Sequence, residues 1–99
     1  MAQFDVYRNP AGGGYLVDVQ ANLLDELTTR VVVPLIPISQ FAKPAKRLNP
    51  IFTVGRQRCA LVPQYLAAIP ARELKSPIGT LTPRREDVIG AIDMVLSGV

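Results

Sequence analysis

The most strand-like stretch of the chain reads Arg30-Val31-Val32-Val33-Pro34-Leu35-Ile36. Three consecutive valines favour a strand that is buried on both faces of a sheet. Pro34 lacks the backbone N–H that a ladder hydrogen bond needs, so we expect an edge position or a bulge at that residue. The stretch therefore predicts a mainly β fold.

Shorter strand patterns lie on both sides of this run. Residues 3–7 alternate apolar and polar side chains, and residues 15–19 do the same after a loop at 9–14 that is rich in glycine. Residues 50–54 and 57–62 resemble a second hairpin. Because nine prolines interrupt the chain at short intervals, long helices before residue 82 are disfavoured. We expect about five short antiparallel strands.

The last segment has the period of a helix. Thr82 is a suitable N-cap and Pro83 suits the first helical position. Apolar residues then recur at three- and four-residue steps and predict one amphipathic helix at the C-terminus. These residues are Val88, Ile89, Ala91, Ile92, Val95, Leu96 and Val99.

Length and composition predict a single domain over residues 1–99 that associates with a partner. The chain has 99 residues, of which 48% are hydrophobic and 19% charged. A domain of this size buries a modest core, so part of its apolar surface needs a cover. A symmetric homodimer is the simplest way to provide one.

The residue inventory is poor for enzymatic chemistry. There is no histidine, which removes the usual general base near neutral pH and the commonest metal ligand. Cys59 is the only cysteine, so neither an internal disulfide nor a multi-cysteine zinc site is expected. We expect Cys59 to be a small buried residue of a strand. We predict no enzyme, no catalytic residue, no bound metal and no cofactor.

The sequence predicts a cytoplasmic protein. Its first residues, Met1-Ala2-Gln3-Phe4-Asp5, have neither the basic start nor the apolar run of a secretory signal. No apolar stretch approaches the roughly 20 residues of a membrane span.

Positive charge is concentrated in the middle of the chain. The net charge is +3, and no acidic residue lies between Glu26 and Glu73. Such a distribution fits a solvated basic surface or a face that attracts an anionic partner. Few aromatic residues accompany the charges, which favours an acidic peptide over nucleic acid. The basic residues of this stretch are Arg30, Lys43, Lys46, Arg47, Arg56, Arg58 and Arg72.

Several segments, in order and at matching spacing, make the chain similar to the CcdB family of toxin–antitoxin toxins. They are Gln3-Phe4-Asp5-Val6-Tyr7, Val17-Asp18-Val19-Gln20, Arg30-Val31-Val32-Val33-Pro34-Leu35, Leu48-Asn49-Pro50-Ile51, the turn at Gly55, Leu66-Ala67-Ala68-Ile69-Pro70, Leu81-Thr82-Pro83-Arg84, Ala91-Ile92-Asp93-Met94 and Gly98-Val99.

The resemblance implies an SH3-like antiparallel barrel with one C-terminal helix, of the kind shared by CcdB and MazF, and a homodimer. It also implies a toxin that poisons DNA gyrase through its A subunit. A disordered acidic tail of a CcdA-like antitoxin would neutralise it. The complex would repress its own operon, with operator DNA contacted through the antitoxin.

The resemblance also assigns site residues. The gyrase-binding residues it implies are Leu23, Leu24, Asp93, Leu96, Ser97, Gly98 and Val99, and the antitoxin-binding residues are Arg8, Lys43, Lys46 and Arg47. Two positions depart from the family pattern. Ser97 stands where the family has a tryptophan, which is a typical interface anchor, and Asp93 replaces a neutral amide.

Two other functions remain open from the sequence. One is a CcdB-like binding module that pairs with an antitoxin and has lost or changed its gyrase target, as Ser97 suggests. The other is a ribonuclease of the MazF and Kid type, for which Arg30 beside Thr28 or Thr29 is the only candidate. The C-terminal tail, residues 96–99, also has a purely structural interpretation, in which Gly98 ends the helix. Of the adjacent pair Leu23 and Leu24, at least one is expected at the surface.

Overall fold

The computed structural model describes residues 2–41 and 43–99. Within these residues it contains a seven-stranded sheet and one α-helix. The strands are β1 (Asp5–Arg8), β2 (Tyr15–Asp18), β3 (Thr29–Pro37), β4 (Ile51–Val54), β5 (Gln57–Leu61), β6 (Ala67–Pro70) and β7 (Gly79–Thr80). The helix is α1 (Arg85–Ser97), and short 3₁₀ turns lie at Asn22–Leu24, Ile38–Gln40, Pro63–Tyr65, Ala71–Glu73 and Thr82–Arg84.

The sheet is a nearly closed antiparallel barrel. Its strand order is β4-β5-β3-β2-β1-β7, and β6 pairs with β3. A shallow depression, lined by residues of β4, β7 and β1, marks the seam between the two ends of the sheet. The prediction of a mainly β, SH3-like barrel with one C-terminal helix is confirmed. The short strands β6 and β7 are additional to the expected ones.

The prediction of an edge position or a bulge at Pro34 is wrong. β3 is the central strand, and Pro34 is in register with Leu16 of β2. On its other side β3 pairs with β6 through residues 29–32 and with β5 through residues 35–37. Pro34 thus lies between the residues of β3 that pair with β6 and the residues that pair with β5. Its carbonyl oxygen accepts a hydrogen bond from the Val62 N–H at 2.9 Å.

The barrel interior is the main core. Val17, Val33, Leu35 and Leu61 are fully buried there, as the valine run predicted. α1 adds Val88 and Ala91, which are also fully buried. Cys59 of β5 belongs to the same cluster, so its prediction as a small buried residue is confirmed. Burial of each larger aliphatic side chain contributes about 1.5–3 kcal/mol, so the helix is held mainly by this face.

The start of the helix differs from the prediction. Thr82 opens the 3₁₀ turn that precedes α1, and its side chain caps no helix N–H. Its Oγ1 instead lies 2.8 Å from Oγ1 of Thr80, at the end of β7. Glu86 and Asp87 follow in the first turn of α1, where carboxylates favour the helix dipole. Among the described residues no helix has the length and apolar character to cross a membrane.

In the glycine loop between β1 and β2, Gly14 occupies a position that no residue with a Cβ fits. Gly14 has a φ of +138°, and a Cβ on it would collide with the carbonyl oxygen of Leu35 in β3. Its own carbonyl accepts a hydrogen bond from the Asn9 N–H at 3.0 Å. The loop is therefore closed against the sheet at its last glycine.

Candidate functional site

The C-terminal tail carries apolar side chains that the fold leaves exposed. Leu96 is 71% and Val99 69% exposed. Gly98 adopts a left-handed conformation with a φ of +76°, and its N–H donates to the Met94 carbonyl at 3.0 Å. The expected helix end at Gly98 is confirmed, and this end projects the tail into solvent. Its leucine and valine are free to be covered by a partner.

Ser97 and Asp93, the two positions that depart from the family pattern, interact with each other through the helix. The Ser97 hydroxyl donates a hydrogen bond to the Asp93 carbonyl at 2.8 Å. This bond satisfies the hydroxyl within α1. Ser97 therefore offers a partner neither a large apolar surface nor a free hydroxyl proton. The Asp93 side chain lies exposed on the same part of the helix.

Arg47 ties the tail to the loop before β4. Its Nη2 donates a hydrogen bond to the Val99 carbonyl at 2.7 Å. Lys46 and Arg47 also line a groove that faces Glu86 and Asp87 of α1. Arg47, which the resemblance assigns to antitoxin binding, thus lies against a residue assigned to gyrase binding.

Leu23 and Leu24 lie in the 3₁₀ turn Asn22–Leu24 and both face solvent. Their exposed fractions are 93% and 47%, so the expectation that at least one is exposed is confirmed. Asn22 Oδ1 accepts a hydrogen bond from the Gln3 N–H at 2.8 Å. The Leu24 carbonyl accepts one from Gln20 Nε2 at 2.9 Å. The turn is therefore fixed by the residues around it while its leucines point outward.

The turn Asn22–Leu24, called the leucine turn from here on, and the tail are separate surfaces of one chain. In the described part of the chain, no hydrogen bond or ion pair joins residues 22–24 to α1 or to residues 98–99. α1 contacts the 3₁₀ turns Pro63–Tyr65 and Thr82–Arg84 instead. A single chain does not unite the two halves of the predicted gyrase-binding set.

A buried charge cluster, which the sequence analysis missed, lies beside the leucine turn. Arg30 Nε donates to Asp18 Oδ2 at 2.9 Å, and its Nη1 donates to Asp25 Oδ1 at 3.0 Å. The side chains of Arg30 and Asp18 are 1% and 0% exposed. Counting Arg30 among the surface charges was therefore wrong. The one signal in the sequence was Asp18, which lies on the same strand face as the apolar Leu16 and so indicated a buried carboxylate that needs a cationic partner.

Burial opposes the charged forms of Arg30 and Asp18, and the hydrogen bonds between them favour those forms. Burial lowers the pKa of Arg30, but the hydrogen bonds to Asp18 and Asp25 outweigh it and raise that pKa above its usual value. Burial raises the pKa of Asp18, against which its bonds from Arg30 and from the Gln20 N–H act. The guanidinium thus stays charged and joins β2, β3 and the residue after the leucine turn.

Burial also rules out the ribonuclease candidate built on Arg30. Thr28 and Thr29 are exposed, but the guanidinium beside them in sequence is sealed from solvent by Asp18 and Asp25. A group that acts on a scissile phosphate needs hydrogen-bond reach to it. Within residues 2–41 and 43–99, no group of three or more cysteine, aspartate and glutamate residues could hold a metal ion.

The four residues assigned to antitoxin binding fall into separate regions. Arg8 ends β1 and lines a depression together with Lys75. Lys46 and Arg47 line the groove beside α1. Lys43 is exposed in the loop before it. Arg8 and Lys46 thus line different depressions, and the set is divided between them.

Comparison with known families agrees with this architecture. The model of one family, described as CcdB protein, matches residues 3–98. The match covers nearly the whole chain, including the barrel, the leucine turn and most of the tail.

Proposed function

The chain belongs to the CcdB family, and from this we propose that it binds and poisons DNA gyrase through the gyrase A subunit. Family membership makes it a toxin of the toxin–antitoxin type. The proposed contact surface consists of the leucine turn and the tail: Leu23, Leu24, Asp93, Leu96, Ser97, Gly98 and Val99.

The observation that carries this proposal is the exposure of large apolar side chains at those positions. Leu23 is 93%, Leu96 71% and Val99 69% exposed. Each would contribute about 1.5–3 kcal/mol if a partner buried it fully. Both segments are anchored, the turn by Asn22 and Gln20 and the tail by Gly98 and Arg47. Anchored apolar groups bind with little loss of conformational entropy.

A homodimer is part of the proposal. Leu23 and Val99 belong to surfaces that one chain leaves apart, and a two-fold axis repeats each surface on the partner. Ile89 on α1 is 39% exposed and is available for such an interface. An isologous contact through α1 and the strands beside it would cover apolar surface and bring the tails of the two chains together.

The proposed antagonist is the acidic, disordered tail of a CcdA-like antitoxin. Arg8, Lys43, Lys46 and Arg47 are exposed and positively charged, and attraction to carboxylates would steer the tail toward them. The proposed complex represses its operon with the antitoxin contacting operator DNA. The proposed place of action is the cytoplasm, where gyrase acts on the chromosome.

A second candidate function is a binding module that keeps the antitoxin and has lost or changed the gyrase target. The observation that favours it is the internal hydrogen bond of Ser97 to the Asp93 carbonyl. A tryptophan would bury about 150–250 Å² at an interface. Ser97 supplies no comparable area, and under this second candidate function gyrase is engaged weakly or not at all.

Inducible expression in a gyrase-competent host tests the proposal. Growth, plasmid supercoiling and gyrase-linked DNA breaks are scored together, with a chain that lacks residues 97–99 as the control. Growth arrest with DNA breaks that vanish in the truncated chain is the expected result for a poison. Arrest without a change in supercoiling or breaks would favour the changed target. Breaks that persist without the tail would overturn the assigned surface.

A further inference from the structure

A broad depression lies away from the tail and the leucine turn. It has a volume of about 400 Å³, within the range of ligand sites. Tyr7, Pro10 and Ile78 give it apolar walls, while Arg8, Glu73 and Lys75 stand in its lining. Tyr7 is buried, and Ile78 remains 43% exposed.

The walls of this depression are preformed. The Ile78 N–H donates to the Val6 carbonyl at 2.7 Å, which holds the segment before β7 against β1. Leu74 is buried in a small core with Tyr7, and its N–H donates to the Ala71 carbonyl at 3.1 Å. The rim residues Glu73 and Lys75 therefore extend from a fixed backbone. A ligand would find the site in place and would pay little to order it.

Positive charge prevails at the rim. Arg8 and Lys75 are exposed cations, and no ion pair of the described residues involves either of them. Glu73 is the only acid in the lining. Arg8 also borders a second depression, formed by the glycine loop, Tyr15 and Gln57, that contains no acidic residue. The apolar walls and the excess cations together suit an apolar side chain flanked by carboxylates.

We propose that this depression is a docking site for an acidic peptide segment, which inserts a leucine or aromatic side chain between Tyr7 and Ile78. Arg8 and Lys75 bind carboxylates on either side of that residue. The inference rests on the proposed function only for the origin of the peptide, namely the antitoxin tail. It adds Tyr7, Lys75 and Ile78 to the partner-binding residues and makes Arg8 part of a site separate from Lys46 and Arg47.

Titration of the ¹⁵N-labelled full chain with a short capped peptide tests this inference. In the probe, glutamate alternates with leucine, and in the control peptide glutamate alternates with serine. We expect amide shift changes centred on Arg8, Lys75 and Ile78, and an affinity about tenfold lower for the serine peptide. Shift changes centred elsewhere, or equal affinities for the two peptides, would overturn the site.

Matched variants separate the site from general charge attraction. Lys75→Glu and Ile78→Ser should each weaken the leucine peptide about tenfold. Arg56→Glu makes the same charge change in the exposed β4–β5 turn, outside the depression, and should change affinity less than about twofold. An equal loss in Arg56→Glu would overturn the proposal. An unchanged amide spectrum outside the depression verifies that each variant is folded.

The outcome is independent of toxicity. If the chain proves harmless and peptide binding still requires Lys75, the docking site stands and the gyrase proposal fails. If the chain poisons gyrase and Lys75→Glu binds the peptide as tightly as the parent, only the docking site is overturned.

Discussion

Arg30 places its Nη2 atom 2.7 Å from Oδ2 of Asp18, with both side chains sealed inside the molecule. The same guanidinium reaches Asp25 at 3.0 Å, directly after the leucine turn. Removing two charges from water is costly, and the hydrogen bonds within the cluster offset that cost. The cluster therefore connects the central strands of the barrel with the turn that presents Leu23 and Leu24.

Asp18→Asn should destabilise the fold strongly, because it leaves the Arg30 guanidinium buried with only the half-exposed Asp25 as counterion. The expected loss in the free energy of unfolding is about 3–5 kcal/mol, measured by chemical denaturation. Asp87→Asn is the matched control, since it makes the same change at an exposed carboxylate paired with Arg84 and should cost less than about 1 kcal/mol. Similar losses for both variants would contradict the assigned role of the cluster.

Ser97→Trp should raise trapped gyrase cleavage by about tenfold or more, because an indole restores a large apolar anchor beside Leu96 and Val99. The measurement is a gyrase-cleavage assay on parent and variant at equal concentration. Ser97→Ala, which removes only the hydrogen bond to Asp93, should match the parent.

Equal, strong cleavage by the parent and Ser97→Trp would show that the anchor is elsewhere. No cleavage by either would favour a changed target.

Light scattering at micromolar concentration should return twice the chain mass of 10.8 kDa. The reason is the apolar surface that one chain leaves exposed outside the proposed gyrase contact, including Ile89 on α1. Ile89→Asp should shift the equilibrium toward the monomer, because it places a charge in the proposed interface. A parent chain that scatters as a monomer would refute the dimer.

Alkaline pH should weaken the fold through Cys59. Burial raises the pKa of its thiol, so the folded state holds the proton more tightly than the unfolded state does. The associated stability is complete below the unfolded pKa of about 8.5 and is lost as the pH rises through the folded pKa.

Denaturation series above pH 8.5 should therefore show a falling free energy of unfolding, and a smaller slope in Cys59→Ala. Burial also raises the pKa of Tyr7, and this effect should set in near pH 10 and persist in the variant. Identical slopes in parent and variant below pH 10 would contradict the role of Cys59.

Local patterns in the sequence were enough for the two hairpins, the central strand and the helix. They were insufficient for β6 and β7, because the four residues Ala67–Pro70 and the two residues Gly79–Thr80 show no alternation of their own. These strands form because β3 and β1 offer them unpaired edges. Pairing of this kind depends on tertiary contacts and leaves little local signal.

The sequence was enough to predict that leucines near residue 23 are exposed. It was not enough to predict which charged residues are buried or which of them lie close together. The exposure of Leu23 followed from its place in a polar loop beside a second leucine. Arg30 was misassigned because its partner Asp18 is distant in sequence, so that charge counting along the chain placed it at the surface. Arg8 and Lys46 share a charge and an expected partner, and only the three-dimensional structure separates them.

The pairing of β1 with β7 makes completion of the sheet depend on residues synthesised long after β1. Asp5 pairs with Thr80, so the sheet joins segments that lie far apart along the chain. α1, which follows, supplies Val88 and Ala91 to the core. A nascent chain on the ribosome cannot complete its sheet until β7 has emerged, and pairing between such distant segments is a slow step. Translation products that end before β7 therefore lack the complete sheet as well as Val88 and Ala91, the contribution of α1 to the core.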